Sequence, residues 1–300
     1  MMMSNLKNKG GGDKDKGKNL PRVMERVMCQ PWAIMDDKMG QLSELLMQHV
    51  RGDADISQGA YMDESSGGDD DEGYVLVGSV AVVSLAGVIG KRLSWLEMYC
   101  GGCDVDQVKS DIMSAMLDER VKAVVLDIDS PGGMVTGTPE LANFIAEASE
   151  EKPIMAYTEM MMCSAAYWLG CAAGEVFCSE SAIVGSIGVV CSAVDQSEAW
   201  KREGFEKLVF RSSSMKCIGQ DGERWSEEWR TSMQKGVEES AEKFYSHVRA
   251  QRGGDLDAAC FTGDYWSGEV LLELGLVDGF CDTLEDFVGI VNLQMEDAVF

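Results

Sequence analysis

An α/β fold with a mostly parallel sheet is predicted by three observations on residues 74 onward. Val-rich apolar runs recur without the polar alternation of a half-exposed strand, as expected for strands buried on both faces. Between them lie stretches whose apolar residues repeat at helical spacing. Strand-like and helix-like runs therefore alternate, and parallel strands joined by helical crossovers are the architecture that satisfies this order.

Each element follows from its own residues. YVLVGSVAVVSLAGVIG (74–90) reads as a continuous buried strand. VDQVKSDIMSAMLDER predicts a helix with Val105, Val108, Ile112 and Met116 on one face. VKAVVLDIDS is the next strand. Thr138 and Pro139 predict the N-cap and first position of a helix running to Glu150, and PIMAYTE is a third strand. SIGVVCSAV and KLVFRS are two further strand candidates. A long helix over about 226–251 follows, with Trp229, Met233, Val237, Phe244 and Val248 along one side. Ahead of this core, composition divides the chain into a disordered tail (1–20), a helical segment (21–51) carrying Leu42, Leu45, Leu46 and Val50, and an acidic Gly/Ser-rich linker (52–73). Residues 291–300 read as a C-terminal tail.

Charge narrows the function. With 51 acidic and 26 basic residues the net charge is -25, which repels nucleic acid and anionic membrane surfaces. The lysine-bearing first twenty residues lack the apolar stretch of a secretory signal, and no run is apolar enough to span a bilayer. The expected setting is cytoplasmic, with the ten cysteines mostly reduced. Cys100 and Cys103 have the spacing of half a zinc site, but no second pair or nearby histidine completes one. Neither a metal nor a cofactor is expected.

Two stretches carry chemistry. In DIDSPGGMV a buried strand ends in a turn whose glycines expose backbone N–H groups, where open α/β sheets place ligands. Such donors suit a developing oxyanion, though an ordinary strand-to-helix turn reads the same way. In TEMMMCSAAYWLGCAAG, Cys163 and Ser164 stand between a strand and a helix, an exposed position for a nucleophile. From the residues alone either one fits, and a helix cap is the plain alternative for the serine.

Taken in order, DSPGG, the serine of CSAAYWLG, GSIGVV (185–190) and WSGEVLLELGLVDG (266–279) resemble the signal peptide peptidase A family of serine peptidases. The similarity is greatest to its phage head-maturation branch, through PWAI (31–34) and KCIGQDG as well. The resemblance implies a caseinolytic protease/crotonase-like fold of repeated strand-strand-helix units, with the peptidase domain spanning 74–290. It implies a Ser/Lys dyad, with Ser164 as nucleophile and Lys216, in RSSSMK, as base. It further implies Ser186 as the hydroxyl that orients the amine, and the N–H groups of Gly133 and Ala165 as the oxyanion hole. His49 and His247, the only histidines, supply a Ser-His-Asp triad poorly. Because an ammonium cannot accept a proton, an apolar setting around the Lys216 amine is expected. The SSSM before the lysine, Leu271 and Cys217 depart from the family's usual residues.

The function expected on this basis is a Ser/Lys endopeptidase trimming scaffold, capsid or portal-associated proteins during phage head assembly, working as a closed homo-oligomer on extended polypeptide. No nucleic-acid or membrane partner is expected. The alternatives are a cellular peptidase of signal peptides or protein fragments, a catalytically silent capsid-assembly factor, and a crotonase-like acyl-thioester enzyme. The last lacks a basic stretch for nucleotide phosphates.

Overall fold

The computed structural model describes residues 31–35, 73–94, 97–98, 101–217 and 219–297. After a short strand β1 (Trp32–Ile34), the chain forms β2 (Val75–Val77), β3 (Val80–Ala86), β4 (Val88–Gly90), β5 (Gly102–Asp104) and helix α1 (Val105–Leu117). Two strand-strand-helix units follow: β6 (Ala123–Asp129), β7 (Gly132–Met134), α2 (Thr138–Glu151), then β8 (Ile154–Thr158), β9 (Met161–Cys163), α3 (Ala165–Gly170). Next come β10 (Glu175–Cys178), β11 (Ile183–Gly185), α4 (Ser197–Arg202) and the long helix α5 (Glu227–Arg252). The domain closes with β12 (Tyr265–Trp266), α6 (Val270–Glu273), β13 (Gly279–Phe280) and α7 (Leu284–Asp297).

The first strand of each unit enters a six-stranded sheet of order β13-β10-β8-β6-β3-β2, parallel except for the edge hairpin β2–β3. The second strands form two smaller sheets, β1-β7-β4-β5 and β12-β11-β9. A bridge between Ser130 and Met162 joins them beside the turns that leave β6 and β9. This repeated strand-strand-helix arrangement is the one the family resemblance implies.

The long apolar run 74–90 is three strands because its glycines break it. Gly78 turns the hairpin at a φ of 63° and Gly87 bends the chain at 91°, conformations that a side chain makes costly. One face of the large sheet is covered by α1, α2 and α3, with α5 packed on α3, and this side buries Val83, Leu85, Leu126, Ile128, Ile145 and Phe244. The other face packs against α7 through Phe287, Val288 and Val291. Helix α1 starts at the Asp104 cap, whose carboxylate accepts from the Asp106 N–H, and buries Val105, Val108 and Ile112 as the spacing predicts.

Several expectations are corrected. Helix α2 is capped by Gly137 in the left-handed region, so Thr138 is its first residue and its hydroxyl donates to the Met134 carbonyl at 2.7 Å. SIGVVCSAV and KLVFRS form no sheet strand: Val190 alone bridges, to Trp32, and a strand without a partner edge is not held. The reading of 291–300 as a tail fails because α7 continues to Asp297 and buries Val291 against the sheet. Of the segment 21–51 read as helical, residues 32–34 are a strand. Leu42, Leu45, Leu46 and Val50, like the tail 1–20 and residues 52–72, lie outside the described residues.

One buried carboxylate sets a pH dependence. Asp127 sits mid-sheet on β6, and its burial, with Glu159 and Asp129 nearby, pushes its pKa up to about 6. The unfolded chain ionises this group near 3.9, so folding loses stability as pH rises through roughly 4 to 6, and the loss is complete above that window. We predict that Asp127→Asn recovers about 1–2 kcal/mol at pH 7.5, allowing for solvent screening of this half-buried site, or roughly 3–6 °C in Tm, and little at pH 4. Thermal melts at both pH values check this. Equal gains at the two would point to packing instead of ionisation.

Candidate active site

Ser164 lies at the junction of β9 and α3, and its backbone is strained. Its φ is 56° and ψ -119°, outside the usual left-handed well and unfavourable for any residue bearing a Cβ. Among the described residues four non-glycine residues have positive φ, and two of them are Ser164 and Ser186. The strain is held by bonds on both sides: the Ser164 N–H donates to the Gly185 carbonyl at 2.7 Å and its carbonyl accepts from Trp168 at 2.9 Å. A sharp strand-turn-helix of this kind projects a side chain off the sheet edge, yet Ser164 is only 1% exposed, so the exposed position expected for it is not found in the single chain.

The plain reading of Ser164 as a helix cap does not hold. It occupies the cap position of α3, yet its hydroxyl makes no capping bond and lies 3.5 Å from the Gly188 carbonyl. The neighbouring Cys163 is fully buried, with its thiol directed to the Ile183 carbonyl at 3.5 Å. Adjacent residues leaving a strand point opposite ways, so only the serine faces the junction of the small sheets.

The two glycines of DSPGG come against this serine. Gly132, at φ 104°, is packed so closely that a Cβ there would collide with the Ala33 carbonyl oxygen and lie 2.9 Å from Ser164 Cβ. The turn is fixed by Ser130, whose buried hydroxyl donates to the Gly87 carbonyl at 2.6 Å and accepts from the Gly132 N–H at 3.1 Å. The Cys163 N–H donates to the Ser130 carbonyl, tying the turn to β9. Ala165 opens α3, so its N–H is among the donors with no acceptor inside the helix. Ser186 follows β11, which pairs in parallel with β9 in a register that sets Gly185 opposite Cys163, and its N–H donates to Asp264. The structure thus brings Ser164, Gly133, Ala165 and Ser186 to one junction.

Lys216 is not among them. It lies on the exposed loop between α4 and α5, with its own side chain exposed and only its backbone N–H bonded, to Ser213. Neither a contact of its amine with Ser164 or Ser186 nor the apolar setting expected for it is present among the described residues. The same loop exposes Phe205, Leu208, Phe210 and Met215, Phe210 by 93%.

The C-terminal motif is structural. Leu271, Leu276 and Val277 are buried, and the Tyr167 hydroxyl donates to the Leu276 carbonyl at 2.8 Å. Arg252 clasps Asp278 through two bonds of 2.7 and 2.9 Å, while Asp278 also accepts from the Val176 N–H. This holds the end of α5 to β10. Near its middle α5 stacks Phe244 on Trp168 of α3 at 4.4 Å, seating the helix that carries the serine. Cys103 is buried and its thiol is pushed up to about 12, which keeps it protonated; Cys100 lies outside the described residues.

Residues 146–289, which include this serine and the whole C-terminal motif, match the sequence profile of peptidase family S49. Over those residues the chain is similar to peptidase family S49. Similar proteins include the capsid assembly protease C of Escherichia phage lambda, 29% identical over 87% of this chain and 63% of that protein. The head-tail preconnector protein GP5 of Enterobacteria phage P21 is 30% identical over 68% of the chain and 41% of its own length. A putative signal peptide peptidase SppA of Enterococcus faecium is 27% identical over 54% of the chain and 48% of its own. The chain spans less than two thirds of the length of these relatives. Among solved structures, an enoyl-CoA hydratase/isomerase family member aligns with a TM-score of 0.40 at 12% identity, covering 74% of each chain. A membrane-bound stomatin-specific protease aligns at 0.37 and 11%, covering 72% of this chain and 85% of that one.

Around Ser164, two features are not legible in the sequence. Ser130 stands within the DSPGG motif, but its role in pinning the turn depends on the distant Gly87 carbonyl. The strand β1 was visible only as a run of four residues, PWAI. No described helix is long and apolar enough to cross a membrane.

Proposed function

We propose that this protein is a serine endopeptidase with a Ser/Lys dyad that processes scaffold, capsid or portal-associated proteins during phage head maturation. The observation that carries the reading is the strained Ser164, whose hydroxyl is withheld from capping and set against the Gly132–Gly133 turn. Attack by Ser164 Oγ on a peptide carbonyl forms the ester and releases the amine half of the substrate, with the serine proton passing through Lys216 to that amine. Gly133 and Ala165 donate to the developing oxyanion, and Ser186 orients the lysine amine. Water then hydrolyses the ester and regenerates the serine. The two phage relatives named above support the choice of substrate class.

The exposed position of Lys216 fits a base supplied on assembly. Its loop displays a band of apolar side chains that a lone chain leaves in water, and burying them between copies would surround the amine with apolar atoms. A closed homo-oligomer follows. Light scattering of the wild type is expected to show the oligomer, and Phe210→Asp is expected to shift it toward monomer and to lower hydrolysis of a fluorogenic peptide at least tenfold. A monomer that cleaves at the wild-type rate would overturn this account of the base.

A further inference from the structure

We infer that residues Pro31–Met35 occupy the substrate groove of their own chain, and that a polypeptide substrate must displace them. This rests on the reading of Ser164 as nucleophile. Trp32–Ile34 is hydrogen-bonded along both edges. On one side it runs antiparallel to β7, with Ala33 opposite Gly133, and the flanking bonds are Met35 N–H to Pro131 at 3.1 Å and Val135 N–H to Pro31 at 3.3 Å. On the other side Trp32 and Val190 exchange two bonds of 2.8 Å. All four residues from Trp32 to Met35 are buried.

The phase of this ladder matters. Bonded pairs in an antiparallel ribbon recur every second residue, so bonds at Pro31–Val135 and Met35–Pro131 make Ala33 and Gly133 the bonded pair between them. The Ala33 carbonyl therefore faces the N–H expected to receive an oxyanion. It also lies over Gly132, beside Ser164 Cβ, where a side chain on Gly132 would strike both. A segment from outside the core domain thus sits as an added strand at the nucleophile, in the manner of an extended peptide ligand. It is held there by main-chain bonds that any extended polypeptide can reproduce. Being part of the same chain, it competes at an effective concentration on the order of mM, so a free peptide enters only when the segment leaves.

The test separates binding from catalysis. In a Ser164→Ala background, a fluorescein-labelled synthetic peptide of residues 30–37 is titrated against the chain with its native 31–35 and against chains carrying Trp32→Ala or Ala33→Pro. Ala33→Pro removes the N–H of the central bonded pair; Trp32→Ala serves if the proline variant does not fold by circular dichroism. The expected result is at least tenfold tighter binding to the variants, with a scrambled peptide binding neither. Equal binding to all chains, or none to any, would overturn the inference whether or not Ser164 is the nucleophile. In the Ser164 background the same variants are expected to show a lower apparent KM for a fluorogenic peptide. Loss of hydrolysis in every chain would sink the nucleophile reading and leave the binding result to stand alone. A cut within 31–35 that appears in the wild type by mass spectrometry and not in Ser164→Ala would make the segment a substrate, and would overturn its role as a standing occupant.

Discussion

Ser164→Ala is expected to abolish peptide cleavage, lowering kcat by at least about a thousandfold, while Cys163→Ala retains most of it. The contrast follows from the two side chains' opposite directions. The Cys163 thiol is buried against the Ile183 carbonyl, and its removal costs packing on the order of 1 kcal/mol without touching the junction. The Ser164 hydroxyl stands free of any cap beside the Gly132 turn. Alanine at 164 leaves the strained backbone and its bonds to Gly185 and Trp168 in place, so the variant should fold like the wild type. Labelling with a fluorophosphonate probe provides a second readout: the probe should modify wild type and Cys163→Ala, and not Ser164→Ala. The opposite pattern in both assays would transfer the role to the cysteine.

Lys216→Arg should fail nearly as completely, with hydrolysis reduced by at least about a hundredfold and the fold intact. Arginine retains the charge and much of the length, but its guanidinium does not give up its proton near neutral pH and so cannot receive the serine's. Because the side chain at 216 is exposed and makes no hydrogen bond or ion pair among the described residues, the substitution removes no folding interaction seen there. Circular dichroism should be unchanged, and light scattering should show the same assembly as the wild type. Near-normal turnover by a folded, assembled Lys216→Arg would exclude Lys216 as the base. Lys216→Ala, which also removes the charge, should be no more active; a pH profile identical in shape to that of the wild type would point to a different base.

Much of this protein was legible in its residues, for reasons that are local. The unalternating Val-rich runs marked buried parallel strands because both faces of such a strand meet apolar neighbours, and β3, β6 and β8 lie where those runs do. The spacing of Val105, Val108 and Ile112 located α1, because one helical face must pack on the sheet. The order of four motifs located the serine and its glycine turn, since strand ends, turns and helix starts each constrain nearby residue types. Three things were decided only by tertiary structure. Whether Cys163 or Ser164 faces the site depends on how β9 lies between Ser130 and Ile183, residues far from it in sequence. The fate of KLVFRS depended on whether a partner edge exists within the chain, and none is present among the described residues. The strand at Trp32–Ile34 is only three residues long; Trp32 and Ile34 favour extended backbone, but what holds it are main-chain bonds to Pro131, Val135 and Val190 that no side-chain pattern encodes. Local sequence determines which segments are extended, helical or turning; which segments then meet is a matter of long-range packing and hydrogen bonding, and here that meeting brings the chain's own residues 31–35 beside Ser164.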